Sequence, residues 1–140
     1  MKRQIILDTG PLVALLNRRD TFHHWSVDQW AQIEPPLLTC EAVLSEACFL
    51  LRKPPAGRRA VMELVDRGVV EVAFRLQDHA EPVAELMEKY ASVPMSLADA
   101  CLVRMTELHS RSPVLTIDGD FRFYRKHGRR VIPVIMPADR

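Results

Sequence analysis

Four carboxylates in this 140-residue chain sit where an acidic residue is locally awkward. Asp8 closes the apolar run Ile5-Ile6-Leu7, and Asp118 closes Val114-Leu115-Thr116-Ile117, with Asp120 just behind it. Glu46 shares a helix face with Val43, Ala47 and Leu50 by the three-and-four spacing. Asp99 opens the helix-like segment Ser96-Leu97-Ala98-Asp99-Ala100-Cys101-Leu102. Two carboxylates about 4 Å apart repel by roughly 4 kcal/mol at an effective dielectric near 20. A fold that gathers all four therefore needs a hard divalent cation, and such a cluster points to metal-assisted phosphoryl chemistry.

Each acid also has a plainer explanation. Asp8-Thr9-Gly10-Pro11 is good turn chemistry, although Gly10 and Pro11 already serve the turn and the helix start. Glu46, on an apolar face, would pay for burial unless its charge is met or it reaches solvent. Ser96-x-x-Asp99 fits a capping box with Asp in place of Glu, and a first-turn acid suits the helix dipole. Asp118-Gly119 between two apolar runs would also make a hairpin turn. Asp120 would cap the last helix or act as an outer carboxylate. Thr9 and Thr116 adjoin the acids, where a hydroxyl orients a water or a carboxylate, or satisfies a turn. His23 and His24 are adjacent, hence on different helix faces, and read as structural or partner-facing; Phe22, Trp25 and Trp30 read as core or interface.

The elements that must position these residues alternate between strand and helix. Residues 4–7 read as a buried strand, followed by a helix from near Pro11 and a second over 22–33. Pro35-Pro36 breaks the chain before a short strand at Leu37-Leu38, and Thr39 is placed to cap a helix over 40–52. Pro54-Pro55 ends it; a helix over 58–67 closes at Gly68, and 69–74 is β-branched and strand-like. Helices follow over 78–90 and 96–109, then a strand at 114–117, a short helix at 120–127 stopped by Gly128, and a last strand over 131–135. This alternation predicts an α/β fold, helices sandwiching a mostly parallel sheet. Functional groups of such sheets collect beyond the carboxyl ends of the strands, where Asp8 and Asp118 both fall.

Bulk properties fit one globular domain over residues 1–140. A content of 48% hydrophobic and 26% charged residues is ordinary for such a domain. No apolar stretch is long enough to span a bilayer, and Met1-Lys2-Arg3 leads straight into a strand too short for a signal-peptide core, so a cytoplasmic protein is expected. Cys40, Cys48 and Cys101 are odd in number and form no C-x-x-C pair, which argues for small buried residues. The net charge of +1 says little, but basic residues gather at Arg52-Lys53, Arg58-Arg59 and from Arg122 to Arg130.

With these positions marked, the chain resembles PIN-domain proteins, in particular the VapC-type toxins of prokaryotic toxin–antitoxin modules. The likeness rests on Ile6-Leu7-Asp8-Thr9, on Thr39 to Leu51 with Glu46 at its centre, on Ser96-Leu97-Ala98-Asp99-Ala100, and on Leu115-Thr116-Ile117-Asp118-Gly119-Asp120-Phe121. Each motif is short; their order and spacing carry the specificity. The resemblance implies a three-layer α/β/α sandwich and an acidic pocket binding Mg²⁺ or Mn²⁺ through Asp8, Glu46, Asp99 and Asp118, with Asp120 a weaker ligand and Thr9 and Thr116 in support. It implies endoribonuclease activity, with a metal-activated water attacking a phosphodiester in line. A homodimer and inhibition by a small cognate antitoxin follow from the same likeness. Acidic walls repel RNA, so arginines and lysines must supply phosphate contacts, the candidates being Arg52, Lys53, Arg122 and Arg125.

Three other readings are weaker. Leu7-Asp8-Thr9-Gly10 matches an aspartic-protease signature, but that fold is all-β and the segments after it read as helices. A haloacid-dehalogenase-like phosphatase carries a second acid two residues on, where this chain has Gly10. A non-catalytic PIN-like module that binds RNA or protein would have no need of all four acids.

Overall fold

The computed structural model describes residues 3–138, so the ends of the expected 1–140 unit, residues 1–2 and 139–140, lie outside the described residues. Among the described residues, seven short strands and six α-helices follow in the order β1 (Ile5–Leu7), α1 (Thr9–Leu16), α2 (His23–Gln32), β2 (Leu37–Thr39), α3 (Glu41–Leu50), α4 (Gly57–Asp66), β3 (Val70–Val72), α5 (Ala80–Lys89), α6 (Leu97–Leu108), β4 (Val114–Leu115), β5 (Arg125–Lys126), β6 (Arg130–Val131) and β7 (Val134–Ile135). Strands β3-β2-β1-β4-β7 form one sheet in that order, and every pairing in it is parallel.

Strand alternation explains the layers. Successive side chains point to opposite faces, so Ile5, Leu7, Leu37 and Leu115 enter one core with Leu12 of α1, Ala47 of α3 and Val61 of α4. Ile6, Leu38 and Val114 enter the other with Val83 of α5 and Ala98, Cys101, Leu102 and Met105 of α6. The expected three-layer α/β/α sandwich is present. Register sets Ile6 beside Val114 and Leu7 beside Leu115, and Asp8 N–H donates to the Leu115 carbonyl at 3.0 Å. The Thr39 hydroxyl donates to the Leu7 carbonyl at 2.9 Å, pinning the end of β1 to β2.

From β1 the chain builds outward through β2 and β3, then returns to place β4 on the other side of β1. The reversal opens a crevice beyond the carboxyl ends of β1 and β4, the usual ligand position in such sheets. On the α1 side, α2 is fixed by the Ser26 hydroxyl and the Trp30 indole, which both donate to the Pro11 carbonyl, at 2.6 and 3.3 Å.

Several local expectations need correction. Thr39 does not cap α3, because its hydroxyl serves β1; Cys40 takes the N-cap position without a side-chain bond. Residues 120–127 are not a helix: a 3₁₀ turn over Gly119–Arg122 leads into an antiparallel hairpin of β5 and β6. Gly128 sits at that hairpin's turn with φ +77°, beside His127 at φ +49°, so the glycine reverses a strand rather than ending a helix. The expected last strand over 131–135 is two short ones separated by Ile132 and Pro133. Cys40 and Cys101 are buried as expected, whereas Cys48 is half-buried; all three are free thiols.

Leu115 is fully buried at the β1–β4 register that positions both chain ends of the crevice. Leu115→Ala should cost about 2–5 kcal/mol in urea unfolding at constant m-value. A loss below about 0.5 kcal/mol would contradict this packing.

Candidate active site

Asp8 is the hub of the crevice. It follows β1 directly, is buried, and caps α1, its Oδ1 accepting from Thr9 N–H at 2.7 Å. The helix accordingly begins at Thr9 rather than near Pro11, since the carboxylate satisfies a first-turn N–H. Its second oxygen, Oδ2, accepts from the Thr116 hydroxyl at 2.7 Å, and that hydroxyl accepts in turn from Asp118 N–H at 2.9 Å. The Thr9 hydroxyl donates to Glu46 Oε2 at 3.0 Å. Two threonines thus tie the end of β1 to α3 on one side and to the β4 loop on the other.

Asp99 enters from the first turn of α6. Its N–H donates to Ser96 Oγ at 3.0 Å, so the serine half of the capping box is made. The Asp99 carboxylate turns elsewhere and accepts from the Tyr124 hydroxyl at 2.9 Å through Oδ2. Asp118 caps the 3₁₀ turn by accepting from Asp120 N–H at 2.9 Å, the role expected of Asp120. Asp120 itself is exposed at the rim.

Electrostatics show that the four acids share one neighbourhood. Burial pushes Asp8 up from 3.8 to about 7, against its bonds to Thr116 and Thr9, with the charges of Asp99 and Asp118 adding to the rise. Burial also raises Asp99, opposed by Tyr124 and Ser96 and reinforced by Asp118 and Glu46. The Tyr124 hydroxyl is driven well above the ordinary phenol range by burial and by its bond to Asp99, so it remains a donor. Among the described residues the ion pairs Arg59–Glu63, Arg75–Asp78 and Arg104–Glu107 all lie elsewhere. Among the described residues no basic side chain is ion-paired to these acids, and their charges repel one another.

Glu46 departs from expectation in one respect. It is exposed rather than on a buried face, because α3 packs through Val43, Leu44 and Ala47 while Leu50, one turn beyond Glu46, is 54% exposed. Spacing from Val43 and Ala47 allowed either stripe; the sheet chose the other one, and Glu46 faces water with Thr9 as its tether. The basic candidates divide. Arg125 donates through Nη1 to the carbonyls of Arg122, Phe123 and Tyr124 at 2.7, 3.1 and 3.1 Å, so it braces its own loop. Arg52 stacks over Phe49 at 3.9 Å and stays exposed, as do Lys53 and Arg122. His23 is structural, its Nδ1 lying 2.7 Å from the Ala14 carbonyl oxygen.

Tyr124 escaped the sequence reading. Twenty-five residues separate it from Asp99, and the segment that carries it was read only as a short helix over 120–127. A phenol, whose hydroxyl needs a partner when buried, following two phenylalanines was the available signal.

Hard oxygen donors in this number suit Mg²⁺ or Mn²⁺ over softer metals. Among the described residues no three or more His, Cys, Asp or Glu side chains are arranged to hold an ion by themselves.

A family model described as PIN domain matches residues 5–126. Among solved structures, the chain is similar to Mycobacterium tuberculosis VapC20, titled a sarcin-ricin loop cleaving toxin, at 26% identity and a TM-score of 0.74, over 84% of this chain and 92% of that one. No curated protein matches in sequence.

Asp8 makes stability depend on pH. Unfolded, it ionises near 3.8; folded, it holds its proton to about pH 7. Between those values the folded chain binds more protons, so this contribution is full below about pH 4 and is lost as pH rises to about 7. Three pH units at about 1.4 kcal/mol each put the loss on the order of 4 kcal/mol. In chelator, Asp8→Asn should flatten that decline and be the more stable protein at pH 8 by urea unfolding. Parallel pH profiles for the two proteins would refute the assignment.

Proposed function

Since the chain belongs to the PIN-domain family, we propose that it is a metal-dependent endoribonuclease and the toxin of a toxin–antitoxin pair. The observation that carries this reading is the convergence of Asp8, Glu46, Asp99 and Asp118 in one crevice, with no ion pair to a basic side chain among the described residues. The likeness to VapC20, whose title describes it as cleaving the sarcin-ricin loop, supports RNA as the substrate class.

Asp8, Asp99 and Asp118, with Glu46, are the proposed ligands for Mg²⁺ or Mn²⁺, and Asp120 is an outer acid. When bound, the cation supplies a water of lowered pKa and stabilises charge on the scissile phosphate. The residues of the chain do the rest. Thr116 orients Asp8 and couples it to the Asp118 loop; Thr9 holds Asp8 and Glu46 in fixed relation. Preorganised groups of this kind keep the site within the tight tolerance that phosphoryl transfer demands. Exposed Arg52, Lys53 and Arg122 are the proposed contacts to RNA phosphates outside the crevice.

The partners proposed are an RNA, a second copy of the chain and a cognate antitoxin. Phe49 and Leu50 of α3 and Met62 of α4 are 61%, 54% and 48% exposed, apolar surface of the kind a partner chain covers. Among the described residues no helix is long and apolar enough to cross a membrane, and a cytoplasmic site of action accords with an RNA substrate.

Purified protein should cut structured RNA in Mg²⁺ or Mn²⁺ and stop on chelation. Asp8→Asn and Asp99→Asn should fold and cut at least tenfold more slowly, the loss of one ligand being worth about 1.4 kcal/mol or more of barrier. Cleavage equal to wild type by both variants on a gel would defeat the catalytic reading.

A further inference from the structure

Tyr124 directs a hydroxyl from a buried aromatic cluster toward the acidic crevice. The residue is fully buried, and its ring is gripped edge-on by Tyr90, 66° apart at 5.1 Å, and by Phe121, 87° apart at 5.3 Å. Phe121 is itself fully buried. The Tyr90 hydroxyl accepts from Arg125 N–H at 3.0 Å, fixing the backbone immediately after Tyr124. Arg125 then ties off the Tyr124 carbonyl and two before it. The ring cannot swing, so the hydroxyl is delivered to one point, 2.9 Å from Asp99 Oδ2.

We infer that Tyr124 is a positioning residue that locks the Asp99 carboxylate for a divalent cation. The inference rests on the nuclease reading and deepens it. Asp99 has its main chain held by Ser96, but a carboxylate on a fixed backbone still rotates about its last bond. The Tyr124 hydroxyl, arriving from the 3₁₀ turn and hairpin rather than from α6, stops that rotation. Outer partners that orient ligating carboxylates are worth about 10–100-fold in metal affinity or activity.

Tyr124→Phe keeps the ring packing and removes only the hydroxyl. Mn²⁺ titration by calorimetry on the full chain should show affinity weakened about tenfold or more, with an unchanged circular-dichroism spectrum. The Mn²⁺ concentration giving half-maximal RNA cleavage should rise in parallel, while the rate at saturating Mn²⁺ returns to within about threefold of wild type. Tyr90→Phe, which frees the neighbouring backbone but leaves Asp99 bonded, should bind Mn²⁺ as wild type does. Wild-type affinity in Tyr124→Phe overturns the inference, as does an equal loss in Tyr90→Phe, which would mark general loosening of the loop. A wild-type protein that binds no Mn²⁺ and cuts no RNA defeats the nuclease reading as well, whereas a failure confined to the variants leaves that reading standing.

Discussion

Carboxylates repel, and a chain that folds four of them into one crevice must hold them there against that repulsion. The parallel sheet does the holding. Because β1 and β4 are adjacent at the point where strand order reverses, Asp8 and the Thr116–Asp118 loop emerge side by side from a rigid core, their backbones bonded to neighbouring strands. Helix α3, which reaches both cores through Val43 and Ala47, and helix α6, which packs in one of them, bring Glu46 and Asp99 to the same crevice. Hydrophobic burial on both faces offsets the electrostatic cost, and the threonine and tyrosine hydroxyls distribute it by donating to three of the acids. Every other property of the crevice follows from that arrangement.

Much of this was legible in the primary structure because it is encoded locally. The alternation of short apolar runs with amphipathic stretches, punctuated by Pro35-Pro36, Pro54-Pro55 and Gly68, gave the layers and the strand positions, although β3 and β4 are shorter than the runs over 69–74 and 114–117. An acid immediately after a strand core is conspicuous, as Asp8 is, whereas Asp118 follows β4 only after Thr116 and Ile117. Ser96 as the cap of α6 could be read from a four-residue window.

What stayed hidden is what depends on distant partners. Helix spacing put Glu46 on an apolar stripe, but which of two neighbouring stripes packs is decided by the sheet, and the sheet took Val43–Leu44–Ala47. Thr39 had the chemistry of a cap and was claimed instead by the Leu7 carbonyl across β2 and β1. Residues 120–127 carry helix-compatible side chains, yet a lone helix there would have left Tyr124 and Lys126 without the buried positions they occupy, the lysine donating to the Ser110 carbonyl at 3.0 Å. Tertiary pairing overrode local propensity in each case.

A protonated Asp8 at the centre of the crevice also changes what arrives there. A cation that takes this carboxylate as a ligand must expel a hydrogen ion, so loading becomes an exchange reaction. Its equilibrium would then move with acidity: a rise toward about pH 7 would favour the ligating carboxylate, and acidification would return the proton to Asp8. On the metal-dependent reading, the burial that keeps Asp8 protonated would thus couple the binding of a cation to the acidity of its surroundings.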